Sequence, residues 1–506
     1  MRSPFDDLPT RRRSARVPML LTAAVAVGLL GVQLFGAGPF FSFDSARDCN
    51  ALVPRDGHDL AADPVEAVVG VSRSAFPCAA EVTVAAVGDP AAVRTGARHA
   101  VEAGGPLLLV SDGLDQAVAD ELARLEPEKV TVVGGSEGLR ASVAELAAEV
   151  GGLDVDSAAL SPSAGKKGAG PVFLVDGEII SALPAIEVVA AATEGTVVVA
   201  EDVELTSMPD PMRLVIEQAS ALRLVGGFDP STAWQVELLR SDAELPGGGK
   251  QLFPGRRLVG FYGSPLTTQL GVLGEQDADQ TLERMRSALI GYDADGTPVV
   301  PVFEIIATVA SAGAGPDGDY SDELSIDTLR PWVNLAARQG VYVVLDLQPG
   351  RADFLTQAQR YEELLRMPHV GLALDPEWRL GSDQVHLEQI GTVDTSEINR
   401  VSEWLAGIVQ EEVLPQKLLL LHQFRESMIT NRNLLATPPE LATVIQMDGQ
   451  GTLPVKYDSW DALTAGWTPE SGYLWGWKNF YDEDTPMATP SEVLGLSPVP
   501  VFISFQ

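Results

Sequence analysis

Two carboxylates stand close together at the end of an apolar run in the second half of the chain. The run, 369–378, reads HVGLALDPEW, and in an extended strand its alternation would place Asp375 and Glu377 on one face. Their mutual repulsion would raise the pKa of one of the two. Glycoside hydrolysis uses such a pair, with one carboxyl protonated as an acid and the other acting as base, nucleophile or stabiliser. We therefore predict acid and base chemistry on a sugar.

Other polar side chains lie in or just after neighbouring apolar runs. The second carboxylate of the predicted reaction would be Asp346, Asp448 or Glu304. Aromatic faces can hold a sugar ring, and Trp475 and Trp477 share one face of their run. The residues predicted to bind the substrate are His422, Gln423, Gln348, Trp475, Trp477 and Lys478. We predict no cofactor and no metal site.

These residues also have purely structural interpretations. Asp375 precedes Pro376 and could cap a turn, while Glu377 could pair with Arg379. His422 follows four leucines, so it is as easily a hydrogen-bonded histidine at a rim as a general base. The tryptophans could belong to the core. The sequence leaves both interpretations open.

Eight apolar runs within residues 256–506 would position these side chains. Patterns with helical spacing separate the earlier runs, for example 278–290 and 326–338. Eight β/α units in about 250 residues match a TIM barrel, whose active site lies at the carboxyl ends of its strands. An open doubly wound sheet is the rival architecture. A segment rich in Gly and Pro, 245–255, marks the predicted linker to the first half.

The run that carries Asp375 resembles the fourth strand of chitinase-like glycoside hydrolases, whose motif reads D-G-x-D-x-D-x-E. Gly371, Asp375 and Glu377 match this motif, whereas Val370 and Ala373 stand where the family has aspartates. The resemblance implies that Glu377 is the general acid and that Asp375 positions the substrate. The missing aspartates leave a second hypothesis, in which a barrel without activity binds a glycan or a protein at the cell surface.

The first half of the chain contains an internal duplication. Residues 195–228 repeat the layout of residues 104–139, from a Gly-led apolar run through an amphipathic stretch to a second apolar run closed by Gly-Gly. The period of roughly 92 residues suits a small β-α-β unit with parallel strands. We predict two repeats, at 65–150 and 151–244.

These repeats resemble the cell wall-binding repeat 2 family of Gram-positive surface proteins. The resemblance rests on Pro106–Ser111, Ala119–Leu125 and Lys129–Gly135, and the second copy keeps Thr196–Ala200 and Leu222–Gly227. It implies display on the cell envelope, with an envelope polysaccharide as the partner.

The N-terminal residues predict export. Arginines within 1–16 precede an uncharged apolar stretch, 17–43, that is about long enough to span a bilayer, so the basic tail would stay in the cytoplasm. We predict a single-pass anchor and a tether at 44–64, with the rest of the chain outside; a cleaved signal peptide is the alternative. An oxidising compartment would allow a disulfide between the two cysteines, Cys49 and Cys78.

Composition excludes several classes of function. A chain of 506 residues is long enough for two or three domains, and its net charge of −35 argues against binding to nucleic acid. The sequence has no G-x-S-x-G nucleophile elbow, no H-E-x-x-H zinc motif and no phosphate-binding loop. We expect an α/β protein with a transmembrane helix, two wall-binding-like repeats and a C-terminal (β/α)8 barrel that acts on an envelope glycan.

Overall fold

The computed structural model describes residues 49, 54–59, 61–111, 113–134, 136–150, 154–156, 170–200 and 210–506. The predicted cytoplasmic tail, 1–16, and the predicted anchor, 17–43, lie outside the described residues. Within the described ranges, no helix is both long enough and apolar enough to cross a membrane. For the described part of the chain, the predicted single-pass membrane location is therefore wrong.

Two four-stranded parallel sheets lie in the first half of the chain. Their strands, in chain order, are β1 (Gly57–Asp59), β2 (Glu81–Ala86), β3 (Leu107–Val110), β4 (Lys129–Val133), β5 (Asp154–Asp156), β6 (Val172–Asp176), β7 (Thr196–Ala200) and β8 (Leu222–Val225). The order is β3-β2-β4-β5 in the first sheet and β7-β6-β8-β1 in the second, so three strands of each sheet have the same arrangement and the fourth differs in its place in the chain. β5 falls within the range predicted for the second repeat but pairs with β4. β1, from the predicted tether, completes the second sheet beside β8.

The helices of this half often begin at the dipeptide Asp-Pro. Asp63, Asp89 and Asp229 cap three of them, because each side chain accepts hydrogen bonds from backbone N–H groups of the first turn. The proline that follows has no N–H to leave unsatisfied. A disulfide joins Cys49 to Cys78. The helices are α1 (Pro64–Ala75), α2 (Pro90–Ala103), α3 (Gln116–Leu125), α4 (Glu137–Val150), α5 (Leu183–Ala192), α6 (Asp210–Glu217) and α7 (Pro230–Arg240).

A closed barrel of eight parallel strands forms the second half and confirms the predicted barrel over an open sheet. Its strands and their neighbours are β9 (Arg257–Gly263), β10 (Val299–Ala310), β11 (Ser321–Glu323), β12 (Tyr342–Leu347), β13 (Val370–Leu374), β14 (Val393–Asp394), β15 (Lys417–Gln423), β16 (Ile429–Thr430), β17 (Leu441–Met447), β18 (Leu474–Asn479) and β19 (Phe502–Phe505). The barrel order is β9-β10-β12-β13-β15-β17-β18-β19, and β19 pairs with β9 to close it. β11 adds antiparallel to the end of β10, and β14 pairs with β16 apart from the barrel.

Helices follow most barrel strands, as the β/α count predicts. They are α8 (Ala278–Ala288), α9 (Ile326–Gln339), α10 (Phe354–Gln359), α11 (Glu362–Leu365), α12 (Thr395–Glu411), α13 (Leu453–Thr464) and α14 (Pro490–Leu494). Their apolar faces pack on the outside of the barrel strands in one large core.

Alternation along the strands divides the buried side chains between this outer core and the barrel interior. The interior contains Val302, Val344, Leu420 and Phe502. Gly260 belongs to the same interior row, and a Cβ atom there would lie 1.9 Å from the carbonyl oxygen of Val302. The same alternation decides which side chains emerge at the open end of the barrel.

Candidate active site

Polar side chains replace apolar ones where the interior rows reach the carboxyl ends of the strands. Each lies two residues, or a multiple of two, beyond an interior residue of its own strand, and six of the seven are buried. They are Tyr262, Glu304, Asp346, Asp375, His422, Asp448 and Lys478.

A cavity of about 700 Å³ opens at this end of the barrel. Glu304, Asp346 and His422 are fully buried and do not line it. The residues predicted from the sequence that do line it are Gln348, Asp375, Glu377, Asp448 and Lys478. The structure therefore separates the predicted site into a group that can touch a ligand and a group that supports it.

His422 links three of the carboxylates. Its Nδ1 lies 3.0 Å from Oδ2 of Asp448, and its Nε2 lies 2.9 Å from Oε1 of Glu304 and 3.8 Å from Oδ1 of Asp346. Burial alone would lower the pKa of His422, but the surrounding carboxylates hold that pKa well above its ordinary value. The ring is thus a buried cation among acids and is poorly suited to act as a general base.

Asp346 is held by a second set of bonds. Tyr262 donates its hydroxyl to Oδ2 of Asp346 at 3.0 Å, and the amide of Gln348 donates to that hydroxyl at 3.2 Å. Burial and the charge of Glu304 raise the pKa of Asp346 to about 6, against the opposing charges of His422 and Lys478. The ammonium of Lys478 lies 3.4 Å from the centroid of the Tyr262 ring, a cation–π contact.

Asp375 and Glu377 do not adopt the structural roles considered for them. The Asp375 side chain caps no turn, and its Oδ1 has no hydrogen-bond partner among the described residues. Arg379 pairs at 2.9 Å with Glu397 and not with Glu377. Glu377 sits on a short 3-10 turn, Pro376–Trp378, that directs it to the cavity.

Both of these carboxyl groups favour the protonated form. Burial, with the charges of Glu377, Asp346 and Asp448, raises the pKa of Asp375 well above its ordinary value, although His422 opposes the shift. Burial and the charge of Asp448 raise the pKa of Glu377 to about 7. The cavity therefore holds carboxyl groups that can keep a proton near neutral pH.

Three of the predicted substrate-binding residues lie elsewhere. Trp475 and Trp477 are 1% and 0% exposed and pack against Trp460 of α13 in the outer core. Gln423 also points outward, since its amide bonds the backbone of Arg425 and accepts from Arg432. The alternation of their strands turns these side chains away from the cavity, so they do not contact a ligand there.

Most residues of the cavity wall were not predicted from the sequence, and five of these are aromatic or charged side chains close to the predicted ones. Tyr262 stands on β9, and Trp378 and His386 stack on each other with ring centroids 4.7 Å apart. Phe424 and Arg425 follow β15. Tyr262 could have been found, because it ends the first barrel strand, whereas the stacked pair depends on how the loop after β13 folds back.

Among the described residues, two sets of donors have the geometry to hold a metal ion, and one of them includes the cavity residues Asp375 and Asp448. One atom each from Asp375, His422 and Asp448 lies within 4.8 Å of the other two. Both nitrogens of His422, however, already face carboxylates at hydrogen-bond distance. A proton on each nitrogen satisfies this geometry without an ion.

Comparison with known proteins does not show which family the chain belongs to. A solved structure of Cwp6 from Clostridium difficile is similar to the chain at 10% identity and a TM-score of 0.15, and the match covers 86% of this chain and 46% of that one. The chain thus spans less than half the length of the structure it matches. A similarity this low carries no argument. No family model matches the sequence, and no curated protein matches it.

Proposed function

We propose that the chain is a glycoside hydrolase in which Glu377 is the general acid. The observation that carries the proposal is the place of Glu377 on the cavity wall, beside Asp375 and Asp448, without an ion-pair partner among the described residues. With a pKa of about 7, Glu377 holds a proton in much of the population at neutral pH. Cleavage of a glycosidic bond needs such a proton on one carboxyl and a charge on another.

Asp448 is the proposed second carboxylate. It lines the cavity, whereas the other candidates, Asp346 and Glu304, are enclosed beneath the lining residues. One oxygen of Asp448 is held by His422, and the other, Oδ1, has no partner in the described part of the chain. In this proposal Asp448, as a carboxylate of the cavity wall, activates a water or attacks the sugar. Asp375 is the proposed positioning partner of Glu377.

The walls of the cavity support a sugar as the substrate. Trp378 and Phe424 offer apolar surface, while Lys478, Gln348 and Arg425 offer hydrogen-bond donors. Sugars have an apolar ring face and many hydroxyl groups, so a mixed wall of this kind fits them.

The resemblance of the first half to wall-binding repeats supports an envelope glycan. In this proposal the repeats, 65–150 and 151–244, hold the protein on the polymer, and the barrel, 256–506, hydrolyses it. The residue matches in the two copies carry this part of the proposal.

The test measures the release of reducing sugar from isolated Gram-positive cell walls and from a panel of envelope polysaccharides by the purified full-length protein. The variants are Glu377→Gln and, as a matched control, Asp295→Asn, which makes the same change at the opposite end of the barrel, where Asp295 pairs with Arg257. Release by the wild type and by Asp295→Asn, with loss in Glu377→Gln, is the expected result. If all three proteins bind the walls and none releases sugar, the enzyme proposal is wrong and the barrel is a binding module.

A further inference from the structure

His422 stands between two carboxylates that approach opposite sides of its ring. Nδ1 faces Asp448 at 3.0 Å, and Nε2 faces Glu304 at 2.9 Å. An ionised carboxylate can only accept hydrogen bonds, so two ionised partners require a proton on each nitrogen. A neutral ring would place one nitrogen lone pair against a carboxylate oxygen, which is repulsive at this distance.

The surroundings of the ring favour the charged form from nearly every direction. Asp346 on β12 lies 3.8 Å from Nε2, and the carboxyl of Asp375, after β13, is also near the ring. Tyr262 on β9 faces it with ring centroids 5.9 Å apart. Lys478 on β18 is the other cation of this cluster, and it sits over Tyr262.

We infer that His422 is a permanently charged positioning residue whose hydrogen bond to Asp448 fixes which cavity carboxylate accepts a proton and which donates one. The imidazolium holds Oδ2 of Asp448. The charge of Asp448, across the cavity, favours the proton on Glu377. This inference rests on the proposed function for its consequence, but not for the charge state of the ring.

Nitrogen NMR of the full-length protein labelled with ¹⁵N-histidine tests the charge state directly. The chain has five histidines, and the signals of His422 are those missing from His422→Gln. We expect both ring nitrogens of His422 to show imidazolium shifts from pH 5 to 9. His369 is an internal control, because it is buried at the other end of the barrel, bonds only the carbonyl of Val333, and has a pKa lowered by burial. It should be neutral above pH 7.

A neutral His422 signal at pH 7 overturns the inference, whatever the protein hydrolyses. If His422→Gln does not fold, Asp448→Asn and Glu304→Gln supply the assignment, since each removes a partner of one nitrogen only. A neutral ring whose signals move on addition of Zn²⁺ would also overturn the inference and would establish a metal site in its place.

Kinetics test the consequence separately. His422→Gln should lower kcat by about 10²-fold, leave KM within about threefold, and move the acidic limb of the pH profile, because the cation at the centre of the carboxylate cluster is lost. A residue that only supports the fold would lower activity without moving that limb. Failure to find any substrate would count against the proposed function, while the NMR result would still decide the charge of His422.

Discussion

At the amino end of the barrel, buried basic side chains are bonded to backbone carbonyls, whereas at the carboxyl end buried carboxylates face one another. Lys417, the first residue of β15, donates to the carbonyls of Met367 and Val370 at 3.0 and 2.6 Å. At the other end of the same strand, His422 sits among acids. At the two ends of β15, Lys417 thus has backbone carbonyls as its partners, whereas His422 has carboxylates.

The difference shows most clearly in the atoms left without a partner. Among the described residues, one oxygen of each of four carboxylates at the carboxyl end makes no hydrogen bond, namely Glu304 Oε2, Asp346 Oδ1, Asp375 Oδ1 and Asp448 Oδ1. Unsatisfied buried polar atoms are costly, so they persist where a function needs them. In the proposed function, the amino end stabilises the barrel and the carboxyl end carries out the reaction.

The largest expected effect on activity is that of removing the proposed proton donor, Glu377. Glu377→Gln keeps the shape of the side chain but cannot deliver a proton, so kcat should fall by about 10²–10⁴-fold while the melting temperature stays within a few degrees. Asp295→Asn should do the reverse, with full activity and a lower melting temperature, because Arg257 loses its carboxylate at 2.9 Å. Equal effects of the two variants on activity would mean that the two ends of the barrel do not differ in this way.

The pH dependence of activity is the next largest effect. Because the pKa of Glu377 is about 7, kcat/KM should fall about tenfold for each pH unit above roughly 7, where the general acid loses its proton. Initial rates between pH 4 and 10 on one polysaccharide measure this limb. A rate that stays constant to pH 9 would assign the proton donor to another group.

Much of this division could be predicted from the sequence, because alternation is local. The spacing of Asp375 and Glu377, and the place of Asp346 and His422 near the ends of apolar runs, led directly to the observed cluster. In each case one strand and its period of two were sufficient.

The sequence did not predict the features that depend on the closed barrel or on distant parts of the chain. Alternation shows that Trp475 and Trp477 share a face but not whether that face points inward, and both faces of a parallel strand are apolar. The stacking of His386 on Trp378 depends on a loop that returns to its own strand. Likewise β1 pairs with β8 across more than 160 residues of chain, from Gly57 to Arg223, and no local pattern encodes that pairing.

Substitutions of Trp378 and Trp475 distinguish the cavity wall from the outer core by their effects on KM and on the melting temperature. Trp378→Ala should raise KM by about three- to tenfold, the usual worth of one aromatic contact, since Trp378 lines the cavity. Trp475→Phe should leave KM unchanged and lower the melting temperature, because the indole packs against Trp460 and Tyr473. A rise in KM for Trp475→Phe alone would mean that the sugar binds elsewhere.

The amino end should make the protein more stable as the pH rises. Burial lowers the pKa of Lys417 to about 7 from an ordinary value of 10.5, so between these values the unfolded chain binds a proton that the folded chain has lost. The free energy of unfolding should therefore increase between pH 7 and 10, by on the order of a few kcal/mol, and stay constant below that window for this group. Urea midpoints of the wild type and of Lys417→Met measure the difference. Parallel curves for the two proteins would contradict this expectation.

The carboxyl end should act in the opposite direction and at lower pH. The pKa of Glu377 rises from 4.5 to about 7 on folding, so between these values the folded chain holds a proton that the unfolded chain lacks. Stability from this group is complete below pH 4.5 and decreases as the pH rises to 7, by on the order of 3 kcal/mol. Glu377→Gln should flatten this part of the curve in urea titrations while leaving the rise above pH 7 intact. A curve for Glu377→Gln that still falls as steeply would mean that Asp375 and Asp346 hold the proton instead, and that Glu377 is ionised in the free enzyme.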